Sequence, residues 1–173
     1  GRHLLPNTDF HIHASRHRLV DPREDVTVAS LTQTGVEIGL EVMGVLEHVN
    51  SSRKHPIECF YDLVNAYRAA EWPLPTFLGV EIDLIDDHGT LHEPARLREE
   101  AGLDYVLASV HRFPPDITTL AEYVEDYHRW MMGAITADNG IDVVAHPWHT
   151  GGRLPALGIV DEWLFEMVPD ALC

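Results

Sequence analysis

The chain has 173 residues, 45% of them hydrophobic and 23% charged, the size and composition of one globular domain with a real core. Its formal charge of −16 does not suit a general nucleic-acid partner, because it repels phosphate backbones at long range, although divalent cations in a site would reverse that sign locally. No apolar run reaches the roughly 18 residues of a membrane span, no charged-then-apolar leader opens the chain, and Cys59 and Cys173 make no disulfide framework, so a cytoplasmic protein without a membrane partner is expected.

The first predicted strand covers residues 8–13 and carries Asp9, His11 and His13 at every second position, where strand alternation points them to one face. A helix is expected over 22–35, then a strand over 42–47 that runs directly into His48. The helix over 56–71 sets Ile57, Phe60, Tyr61, Val64 and Tyr67 on one stripe, with Pro56 in its first turn. A strand over 76–82 brings Glu81 near its end, a helix follows over 94–101, and a strand over 104–110 is followed at once by His111. A long helix over 116–137, a strand over 141–146 closed by His146 and a last helix near 156–168 complete the pattern. Near-continuous apolar strands alternating with helices predict an α/β fold with a parallel sheet, and no repeat or linker divides the single domain, residues 1–173.

Five successive strands thus deliver a ligand-type residue at their C-terminal ends, the end where α/β sheets and barrels build active sites. Imidazole and carboxylate without usable thiolate suit Zn, Mn or Fe. His11 and His13 can share one ion, with Asp9 behind them to hydrogen-bond a ligand ring. Glu81 can bridge two ions, His111 and His146 complete the second, and His48 is left for a third ion or a substrate contact. The cations are eleven arginines and a single lysine, Lys54, and Arg16, Arg18, Arg53, Arg112 and Arg153 follow strand ends, where a guanidinium fork matches a phosphate. Of these, Arg112 and Arg153 are the substrate candidates, together with His149. His88 and His92 read as loop residues, and His3, His55 and His128 as surface positions.

The stretches "DFHIHAS", "GVLEHVN", "FLGVEID", "DYVLASVHRF" and "VVAHPWH" resemble, in order and spacing, the motifs of the PHP (polymerase and histidinol phosphatase) family of metal-dependent phosphoesterases, and the phrase around His111 is most similar to the histidinol-phosphatase branch. The resemblance covers nearly the whole chain. It implies a distorted (β/α)7 TIM-like barrel, of which about five βα units are present, with a di- or trinuclear site of two to three divalent transition metal ions. It implies His11, His13, Glu81, His111 and His146 as ligands of a metal pair and His48 as ligand of the third ion, with His17 as a further candidate. The Asp-x-His pair that the family supplies near its C-terminus has no counterpart after His146, so a C-terminally incomplete domain is expected.

The expected activity is hydrolysis of a small phosphorylated substrate by a metal-bound hydroxide, with Glu81, His48 and Arg112 as catalytic residues. An amidohydrolase-type enzyme is the alternative, disfavoured because Lys54 precedes a helix while Glu81 holds the strand position of the bridging lysine. A non-catalytic metal-binding PHP module is the other.

Overall fold

A computed structural model describes residues 6–13, 27–49, 57–92, 97–111 and 117–146. Strands and helices alternate through them as β1 (Thr8–His13), α1 (Val28–Glu37), β2 (Val42–Leu46), β3 (His48–Val49), α2 (Ile57–Ala69), β4 (Thr76–Asp83), α3 (Leu97–Ala101), β5 (Tyr105–Ser109), α4 (Leu120–Thr136) and β6 (Val143–Val144). The element types match expectation and the boundaries move for local reasons. Thr27 starts α1 by a capping box: its hydroxyl oxygen accepts from the Ser30 N–H at 3.1 Å, and the Ser30 hydroxyl oxygen accepts from the Thr27 N–H at 2.8 Å. The helix ends where Gly39 takes φ +80°, a conformation that glycine adopts without a Cβ penalty. Thr119 and Glu122 form the same box at the start of α4. On α2, Phe60, Leu63 and Val64 are buried while Tyr61, expected on the buried stripe, is exposed. The helix expected near 156–168 lies outside the described residues.

Every strand pairing is parallel, in the order β1-β2-β4-β5-β6. Strand β3 resumes the pairing with β4 beyond Glu47, whose carbonyl accepts from the Glu81 N–H at 2.9 Å. The (β/α)7 barrel expected from the sequence is not what forms. Among the described residues the sheet curls as a half-barrel, with β1 and β6 as edges that do not pair with each other. The reason is arc: closing a parallel barrel takes about eight strands, whereas β2 and β3 here are two segments against one neighbour and β6 has two residues.

The two faces of the sheet differ. Met43, Val45, Leu78, Val80, Ile82 and Val106 pack with Phe60, Leu63 and Val64 of α2 and with Leu97 and Ala101 of α3, while Ala108 and Val110 meet Tyr123, Tyr127, Trp130 and Ala134 of α4. The opposite face carries Leu46, Tyr105, Leu107 and Ala145. There the Tyr105 ring occupies the space left by Gly44 and Gly79, since a Cβ at either glycine would overlap it, and its hydroxyl donates to the Phe10 carbonyl at 2.9 Å. This ring supports the base of the face whose C-terminal rim carries the histidines.

Candidate metal centre

Glu81 sits on the central strand with no solvent exposure. Its Oε2 lies 3.2 Å from His11 Nε2, 3.1 Å from His13 Nε2 and 3.2 Å from His48 Nδ1. Its Oε1 lies 2.9 Å from His146 Nε2 and 3.4 Å from His111 Nε2. The four predicted strand-end histidines and His11 therefore all face the predicted bridging carboxylate. Burial alone would raise the Glu81 pKa, but hydrogen bonds from His11, His13 and His146 and the charge of His48 hold the carboxyl far below the usual range.

Each ring is brought in by its own backbone. In β1 the register against β2 shifts between Asp9 and Ile12, a bulge, and Asp9 Oδ1 accepts from the His11 main-chain N–H at 2.9 Å. Asp9 is exposed and fixes the backbone of the bulge, rather than a ligand ring as the alternation suggested. His13 packs face to face on His48, centroids 4.4 Å apart. His146 takes φ +24°, rare for a residue with a Cβ, in the turn that aims its ring at Glu81; the Tyr127 hydroxyl donates to its carbonyl at 3.4 Å.

Two groups of residues could hold a metal ion: His11, Glu81 and His146, and His13, His48 and Glu81, with ligand atoms all within 4.8 Å of one another in each. Glu81 is common to both. The division differs from the sequence reading, which gave His11 and His13 one ion and set His48 aside, because the curl of the sheet brings His11 beside His146, centroids 5.2 Å apart. The donor set fits a divalent ion, being imidazole and carboxylate around one buried charge.

Three residues of this rim were not read from the sequence. Asp83 Oδ1 accepts from His111 Nδ1 at 2.7 Å, with Ser109 Oγ at 3.0 Å from the same nitrogen. Burial opposes charge on His111, but Asp83 outweighs it and raises the pKa. Glu47 is buried between β2 and β3, its Oε2 3.9 Å from His13 Nδ1. Burial again opposes charge on His13, and Glu47 and Glu81 overcome it, raising the pKa to about 9. Asp83 and Ser109 each lie two residues from a predicted ligand, so the alternation that selected His11 and His13 reaches them too. His88 and His92 lie in or beside the turn bridged by Leu84 and Leu91 and belong to neither group, and His128 is exposed on α4. His17, Arg112, His149 and Arg153 lie outside the described residues, as do His3, His55 and Lys54.

No protein-family model matches the chain. It is 26% identical over 140 residues to a protein of Clostridium acetobutylicum named as a probable phosphatase, an alignment covering 80% of this chain and 52% of that protein. The chain thus spans about half the length of the curated relative it matches. No described helix is long and apolar enough to cross a membrane. A distant relative named as a probable phosphatase and a His/Glu cluster that could hold metal ions both bear on function.

Proposed function

We propose that the chain belongs to a metal-dependent phosphatase of the PHP type, acting on a small phosphomonoester as histidinol phosphatases do. The observation that carries this reading is the convergence of five imidazoles on the buried Glu81 carboxylate, at 2.9–3.4 Å. The relative's name supplies the reaction class.

In this reading Glu81 would be shared by two ions of zinc, manganese or iron, of which His11 and His146 would hold one and His13 and His48 the other. His111 adds a further ligand, and His17 is a candidate for a third ion. Bound divalent ions supply a water of lowered pKa and a clamp for the anionic phosphate. The chain's own residues do the rest. Glu81 keeps its charge in a dry setting and fixes the spacing of the two groups. His48, the most enclosed of the five rings at 15% side-chain exposure, is kept as an ion ligand, and a water or a histidine outside the ligand set gives the leaving group its proton. Arg112 directly follows His111 and is the arginine assigned to the phosphate, with His149 and Arg153 as further substrate contacts.

The test is metal content and phosphate release together. Protein purified without chelator is expected to carry at least two transition-metal equivalents per chain and to release phosphate from a panel of phosphomonoesters that includes histidinol phosphate. A metal-free preparation that takes up no added zinc or manganese would overturn the reading.

A further inference from the structure

Asp83 lies two residues beyond Glu81 on β4, on the same face, and is only 5% exposed. A buried carboxylate needs a hydrogen-bond donor, and Asp83 Oδ1 has His111 Nδ1 at 2.7 Å. An ionised carboxylate has no proton to give, so the proton of this bond sits on Nδ1 and the lone pair of a neutral ring is left on Nε2. That nitrogen faces Glu81 Oε1 at 3.4 Å.

The backbone makes the distance hard to change. Asp83 pairs with Ser109 in the β4–β5 ladder, two residues before His111. The Leu84 N–H donates to the Ser109 carbonyl at 2.9 Å, and the His92 N–H donates to the Asp83 carbonyl at 2.7 Å. Ser109 Oγ, at 3.0 Å from Nδ1, offers a second and uncharged acceptor for the same proton. Elsewhere on the rim Glu47 stands 3.9 Å from His13 Nδ1, too long for a bond that selects a tautomer.

From this geometry we infer that Asp83 is a positioning residue: it locks His111 in the Nδ1–H form and presents Nε2 to an ion held on Glu81. The inference rests on the metal centre proposed above and adds a residue outside both of its metal-binding groups. A carboxylate behind a ligand histidine fixes ring orientation and strengthens the ligand, and its loss typically weakens metal affinity about 10–100-fold.

Zinc affinity, measured by competition with a chromophoric chelator, tests it in wild type, Asp83→Asn and Ser109→Ala. Asp83→Asn keeps the shape of the side chain and removes its charge; it is expected to bind zinc about 10–100-fold more weakly with an unchanged far-ultraviolet dichroism spectrum. Ser109→Ala should lose less, since a neutral acceptor contributes less than a charged one. Long-range proton–nitrogen spectra of zinc-loaded wild type give a readout independent of any variant's folding, and His111 should be protonated at Nδ1 and bound through Nε2. Coordination through Nδ1, or wild-type affinity in Asp83→Asn, overturns the role of Asp83 while leaving the metal centre standing. A wild-type protein that binds no zinc overturns the centre and this role with it.

Discussion

His11 and His13 bring their Nε2 atoms to 3.1 Å of one another, and each lies within 3.2 Å of Glu81 Oε2. Two rings that both carry a proton at Nε2 would repel at this distance. The Glu81 carboxylate, 3.1–3.2 Å from both, offsets that repulsion and makes the space suit a small cation. Protons and metal ions compete for it.

Metal binding should accordingly depend on pH. With its pKa raised to about 9, His13 is charged in the metal-free protein at neutral pH. That charge stabilises the fold fully below about 6.5, the ordinary histidine value, and its contribution disappears as pH rises through about 9. A divalent ion requires the same nitrogen unprotonated. Zinc affinity is expected to climb between about pH 7 and pH 9, by about tenfold per pH unit for each proton displaced. Chelator competition across that range measures the slope, and a flat profile would remove His13 from the ligand set.

Replacing Glu81 by Gln keeps the volume and deletes the charge that both metal-binding groups share. Both groups should weaken together. Metal content is expected to fall below that of the wild type, with phosphate release down by about a thousandfold, equivalent to ~4 kcal/mol of transition-state stabilisation. Wild-type turnover in this variant would exclude Glu81 as the bridge.

Gly79→Ala should destabilise the sheet without touching any ligand. The added methyl would overlap the Tyr105 ring, and moving that ring also strains its 2.9 Å bond to the Phe10 carbonyl. A loss of ~1–3 kcal/mol in urea unfolding is expected, as for other overpacked cores. The same substitution beside Tyr105→Ala should lose much less, and equal losses in the two backgrounds would show that the ring is not the obstacle.

The two capping boxes predict a pair of smaller effects. Thr27→Ala and Thr119→Ala should each cost about 1 kcal/mol, read from the same unfolding curves. Main-chain N–H groups of Thr118 and Thr119, with their hydroxyls, hold the Glu122 carboxyl below its ordinary value. The contribution of Glu122 to the α4 cap is thus present above about pH 4.5 and is lost as pH falls through the lowered value. Thr119→Ala should flatten that acid-side dependence.

Much of the rim was legible because it follows two rules that local sequence obeys. Predicted strands ended at His13, His48, His111 and His146, and Glu81 lay near the end of another. Strand alternation extends to Asp83 and Ser109, but a single aspartate or serine in an apolar run carries no metal signal until its partner ring is known. Asp9 was misplaced because alternation assumes a regular strand, whereas the bulge between Asp9 and Ile12 alters the register. Glu47 was hidden inside a run that reads as one strand, although the chain breaks there between β2 and β3. Barrel closure was not legible at all. Ligands at the C-terminal ends of parallel strands arise equally in open and closed sheets, and among the described residues the edges β1 and β6 do not pair.

Those two edge strands share no backbone hydrogen bonds, yet His11 from one and His146 from beside the other stand 5.2 Å apart over the central carboxylate. The sheet is in this sense a bow whose string is made of side chains. An ion held by His11, Glu81 and His146 would tighten the string, and curvature, stability and metal occupancy would become one coupled variable. Chelation should then register as a change of shape across the whole sheet, well beyond the few residues that touch the ion.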